Sequence, residues 1–148
     1  MELKSKLPPE VSFGNNSGND LLAIAEKVLT GEMLARQNRL DEAVVALREG
    51  VRLEDKLKYD EPPDWIQPVR HTLGAVLLRA KKAGEAEQVY RDDLKKWPRN
   101  GWALLGLKQS LSLQGRGTEA ARVDAELKKA WANSDVKPMT SCYCQAGL

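Results

Sequence analysis

Between residues 20 and 133, apolar side chains recur at steps of three and four. Leu22, Ala25, Val28, Leu29 and Met33 make one such stripe, Ala43, Leu47 and Val51 a second, and Leu73, Ala75, Val76, Leu77 and Ala80 a third. That period lines up each set along one side of an α-helix. No stretch shows the strict alternation of a half-buried strand. The breaks between stripes carry start signals. Asp20, Asp41, Asp64, Asn100 and Thr118 each precede a helical run, and their side-chain oxygens can accept from its free N–H groups. The pattern predicts six helices, over about 20–37, 41–58, 64–81, 84–97, 100–114 and 118–133. Short connections between most of them make sequence neighbours antiparallel.

The flanks lack this period. Pro8, Pro9, Gly14, Asn15, Asn16, Ser17 and Gly18 favour turns and open coil, so residues 1–19 are expected to form a flexible arm. Residues 134–148 lose periodicity after Trp131, and Pro138 cannot continue a helix, which predicts a flexible tail. No run of seven apolar residues follows the basic N-terminus, and no stretch approaches eighteen, so neither a secretory signal nor a membrane span is expected. The expectation is a soluble cytoplasmic protein whose Cys142 and Cys144 are reduced. Their C-x-C spacing fits a frayed tail better than a metal or redox pair. The Asn15–Ser17 glycosylation pattern is set aside for want of a secretory signal.

A Glu-Ala pair opens the second helix of each predicted pair, at 42–43, 85–86 and 119–120, and the last interval is 34 residues. This period, with a small alanine where two helices approach, resembles the tetratricopeptide repeat family. The middle copy carries the resemblance best, through Leu73-Gly74, Leu77, Ala86, Tyr90 and Pro98. The last copy keeps Leu107, Leu111 and Ala120, but has Lys108 in place of the glycine and Asp124 in place of the aromatic. The first keeps Gly31, Leu34, Ala43 and Leu47, with Asp55 where the proline would stand. The repeats run over about 24–58, 64–98 and 101–133. The first interval is 43 residues, its surplus lying around 55–63. The following Asp60-Glu61-Pro62-Pro63-Asp64-Trp65 resembles a segment of a subset of bacterial repeat proteins.

The resemblance implies an all-α fold, a right-handed α-solenoid of three antiparallel helix pairs. Its inner wall is formed by the first helix of each pair and holds a peptide or a partner helix. The inner-facing positions fall on Val28, Glu32 and Arg36, then His71, Ala75 and Arg79, then Trp102, Leu105, Gln109 and Leu113. Arginines there can pair with carboxylates, and Trp102 either anchors a ligand or packs between adjacent helices. Trp65 is expected to cover the junction of the first two repeats, and Trp97 and Trp131 to end second helices. The family's carboxylate clamp for heat-shock chaperones is missing: its places hold Val28, Glu32, Thr72, Trp102 and Gly106. A second reading is self-association, with Leu107, Leu111, Val123, Leu127 and Trp131 left partly open for a homodimer because no extra helix covers the last repeat.

Composition narrows the chemistry. The chain has 148 residues, about one ordinary domain. Its 23 basic and 21 acidic residues leave a net charge of +2, too small a field to argue for nucleic acid or an acidic membrane. One histidine and two cysteines do not make a four-ligand zinc site, so no metal or cofactor is expected. Catalysis would have to centre on His71 with Asp60, Glu61 or Asp64, and no spacing marks a partner for it. The expectation is a non-enzymatic scaffold. Glu54–Lys58, Glu87–Arg91 and Asp92–Lys96, each four apart with the acid first, are expected to be supporting ion pairs on exposed helix faces.

Overall fold

The computed structural model describes residues 7–135 and 138–142. The described residues form six α-helices and one two-stranded hairpin. The helices are α1 (Gly18–Arg36), α2 (Leu40–Glu54), α3 (Val69–Arg79), α4 (Ala83–Lys96), α5 (Gly101–Leu113) and α6 (Gly117–Ala130). The hairpin strands are β1 (Ser12–Phe13) and β2 (Asn16–Ser17), paired antiparallel with Ser12 opposite Ser17. The chain divides into two compact units, residues 1–69 and 70–148.

In the first unit α1 and α2 pack against each other. Gly31 meets Leu47, while Gly50 lies against Lys27 and Val28; the partner number falls as the other rises, so the helices run antiparallel. Ala23, Ile24, Ala35, Ala43, Val44 and Leu47 are buried there. In the second unit α4 packs on α5 and α5 on α6, and α3 meets α4 through Gly74 against Tyr90. Its core holds Leu73, Val76, Leu77, Tyr90, Leu104 and Leu111.

The connections explain the pairing. Asn38, Lys81 and Gly115, each two positions past the last residue of α1, α3 and α5, have positive φ of 60, 59 and 74°. In each case the next N–H bonds five residues back, Arg39 to Leu34, Lys82 to Leu77 and Arg116 to Leu111, at 2.9, 2.9 and 3.0 Å. One left-handed residue thus satisfies the last carbonyls of the first helix and reverses the chain.

Several sequence expectations are corrected. Of the predicted capping residues, Asn100 acts as one, accepting from the N–H groups of Trp102 and Ala103. Ser17 caps α1, so Asp20 falls in its first turn, and Asp41 and Thr118 fall inside helices whose entry is set by the preceding turn. The third helix starts at Val69 instead of 64, because the residue before Pro68 is kept out of helical geometry and Pro68 suits the edge of the helix. Glu54, expected on an exposed face with Lys58, is buried and accepts from the Val69 N–H at 3.1 Å. Asp92 pairs with Lys95 at 2.7 Å instead of the expected Lys96, whereas Glu87–Arg91 forms at 2.8 Å.

The expected arm is structured from residue 12 onward. Gly14 turns the hairpin with φ +57°, and the Asn15 N–H donates to Asp60 at 3.0 Å. Asn16 is buried; its amide donates to the Lys58 carbonyl and to Asp64 at 2.7 Å, and its oxygen accepts from the Lys58 N–H. Asp60 and Asp64, weighed as partners for His71, are bonded to this hairpin. The Glu61–Pro62 peptide bond in that loop is cis.

Candidate functional site

The second unit holds a polar network threaded through its apolar core. Tyr90, on α4, is fully buried, with its ring between α3 and α5. Gly74 and Gly106 make this possible, since a Cβ on either would overlap the ring. The phenol then reaches Ser141, 2.6 Å from its Oγ, and Ser141 in turn donates to the backbone carbonyl of His71 at 3.0 Å. Because the serine proton goes to that carbonyl, the tyrosine hydroxyl is the donor in the first bond. Burial pushes the Tyr90 phenol above its usual range, with the Ser141 bond acting against and Asp93 adding to the rise.

His71 also bonds sideways. Its Nε2 lies 3.0 Å from Asp93 of α4, and both residues are buried. Here is the partner that no sequence spacing marked, 22 residues along the chain. Histidine, aspartate and serine stand together, yet not as a relay, for Ser141 binds the main-chain oxygen of His71 and not its ring. General-base activation of a serine needs the ring nitrogen on the hydroxyl.

The stretch expected to be a frayed tail supplies the rest. Gln109 donates from Nε2 to the Met139 carbonyl at 2.8 Å, Thr140 bonds to both the N–H and the carbonyl of Cys142, and Thr72 Oγ1 lies 3.5 Å from Cys142 Sγ. Thr140 and Ser141 are buried, whereas Met139 is 70% exposed. Cys142 is disulfide-bonded, which overturns the expectation of a reduced thiol. Cys144 lies outside the described residues.

The predicted wall residues fall as follows. Glu32 and Arg36 belong to the first unit, where Glu32 is half-buried and Arg36 exposed. Burial raises the Glu32 carboxyl while Arg36 holds it back. His71, Arg79, Trp102, Leu105 and Gln109 belong to the second unit. His71, Ala75 and Leu105 are buried, Arg79 and Gln109 are half-buried, and Val28, in the first unit, is half-buried too. Leu113 is exposed. Trp102 packs edge-on against Trp131, with ring centroids 5.2 Å apart and planes at 86°. The network thus brings His71 and Gln109 to one segment, and sequence reasoning missed its other members, Tyr90, Asp93 and Ser141. Tyr90 had a signal, its place in the repeat pattern; Ser141 had none.

Of the residues expected to stay open for a dimer, Leu107 and Leu111 are buried inside the second unit; Val123, Leu127 and Trp131 are half-buried. Among the described residues no group of three or more His, Cys, Asp or Glu is placed to hold a metal. Among the described residues no helix is long and apolar enough to cross a membrane.

No protein-family model matches the chain, and no curated protein matches it either.

Proposed function

We propose that this protein is an interaction scaffold of the tetratricopeptide kind, a solenoid of three helix pairs that holds a peptide or a partner helix against the first helices of its pairs. The observation that carries the reading is the recurrence of one turn. Asn38, Lys81 and Gly115 share a left-handed conformation, followed by Arg39, Lys82 and Arg116 with φ between −98 and −88° and ψ between 55 and 62°. Residues as different as asparagine, lysine and glycine adopt one geometry at the intervals of the Glu-Ala motif, and Lys81 does so against its own preference. Arg39 and Arg116 each bond the glutamate of that motif, Glu42 and Glu119. This gives the glutamate a task in every reversal where the pair forms.

The scaffold carries no chemistry of its own, needs no cofactor and leaves nucleic acid and membranes aside. A bacterial source and a cytoplasmic setting belong to this proposal as well. The test is selection of binders from a displayed random-peptide library on the full chain. Binders should emerge whose affinity falls at least about tenfold on Arg36→Glu or Arg79→Glu, with helical circular dichroism unchanged. Selected peptides indifferent to both reversals would place the wall elsewhere. The homodimer reading keeps Val123, Leu127 and Trp131 as its surface, and a light-scattering mass that stays monomeric on concentration removes it.

A further inference from the structure

We propose that the face formed by α3 and α5 in the second unit takes a short bent peptide bearing an uncharged serine hydroxyl, and that the chain's own Pro138–Cys142 occupies it until such a peptide displaces it. The inference rests on reading the first helix of each pair as the binding wall.

Residues 138–142 are neither helix nor strand; the Thr140 hydroxyl meets the N–H and the carbonyl of Cys142 within the segment, and other contacts go outward. Gln109 meets one of them at the Met139 carbonyl. Ser141 is read most closely: at 1% exposure its hydroxyl accepts from Tyr90 and donates to the His71 carbonyl, so one donor and one acceptor on the wall match the two sides of one hydroxyl. A carboxylate there would face the carbonyl oxygen with no proton to give. Met139 points to solvent and is unread. The Tyr90 phenol reaches this face only because two glycines let its ring pass, so the site is built into the helix packing and does not depend on the segment that fills it. Held on the same chain, the segment competes with any free peptide at an effective concentration on the order of millimolar.

The test uses the full chain and a labelled synthetic peptide of residues 134–148. In the wild type the Cys142 amide, bonded to the buried Thr140, should exchange slowly and the peptide should bind weakly. Ser141→Asp in the chain should abolish that protection, leave α3 to α5 protected, and tighten peptide binding about tenfold or more. The same change in the peptide should abolish binding. If Ser141→Asp does not fold, Ser141→Ala carries the comparison, with a gain of about threefold. Fast exchange at Cys142 in the wild type, a released segment without gain in peptide binding, or a mass that doubles with concentration because the segment sits on a second copy, would each overturn the proposal. A chain that takes its own peptide but selects nothing from a library would remove the scaffold reading and leave this one standing; the converse would do the opposite.

Discussion

Lys108 on α5 donates to Asp124 on α6 at 2.6 Å, across the same offset of sixteen residues that separates Gly74 from Tyr90 and Gly31 from Leu47. Where the first two pairs close by letting a large side chain lie over a glycine, the third closes by an ion pair. Its two departures from the repeat pattern are complementary, and Lys128 adds a second cation to the same carboxylate at 2.8 Å. The Lys108 hydrogen bond, and then that of Lys128, hold the Asp124 carboxyl below its usual range.

The pair is partly exposed, with side chains 38% and 23% accessible, so its strength is limited by solvent screening. Lys108→Ala and Asp124→Ala should each lower stability modestly, and a double-mutant cycle should give a coupling of about 0.5 to 1 kcal/mol that shrinks in high salt. A coupling of zero in urea titrations would mean the pair is ornamental.

Gly74→Ala and Gly106→Ala put a methyl group where the Tyr90 ring lies, and the ring cannot move aside within a filled core. Each should destabilise by about 1 to 3 kcal/mol. Replacing Tyr90 by Leu should recover part of the loss in either background, because the obstructing ring is gone. Thermal melts of the two glycine variants and the two double variants, read against wild type and Tyr90→Leu, decide this; equal losses with and without the ring would contradict the packing described.

His71→Ala strips Asp93, which is 1% exposed, of its side-chain partner. Losing this buried hydrogen bond should lower stability by about 1 to 3 kcal/mol, and His71→Ala with Asp93→Ala should lose less than the two single changes summed. Additive losses would show that the pair is not coupled.

Two pH limits follow from opposite shifts. The Tyr90 phenol is raised by burial, so the folded state holds its proton where the unfolded chain releases it; stability is intact below about pH 10 and falls as pH rises beyond. Tyr90→Phe should flatten that decline. Glu87 is pushed up by burial but pulled further down by hydrogen bonds from Gln114, Arg91 and Arg116, so its net shift is downward. Its contribution is present above about pH 4.3 and is lost as the carboxylate is protonated below that. Urea midpoints measured across both ranges, for wild type and Glu87→Gln, give the sign directly.

Much of the helical layout was legible because each helix buries one stripe, and a stripe leaves its period in the chain. Trp97 and Trp131 stand at helix ends as expected. Helix starts were harder to read, since α2, α4 and α6 begin out of a tight turn and not from a capping side chain. The hairpin at 12–17 left no alternation because its strands are two residues long and its order comes from Asp60 and Asp64. Ser141 was equally silent: a serine bound by a tyrosine and a carbonyl far along the chain looks like any serine in a tail.

The order of apolar and polar residues was enough by itself to predict six helices joined by mostly short turns, because those features depend on neighbours within a few positions. Tertiary structure alone decided that His71 faces Asp93, that Lys108 answers Asp124, and that residues 138–142 lie against α3 and α5. Hydrogen bonds between distant segments exist only once packing has excluded water from them, and no local pattern records that exclusion.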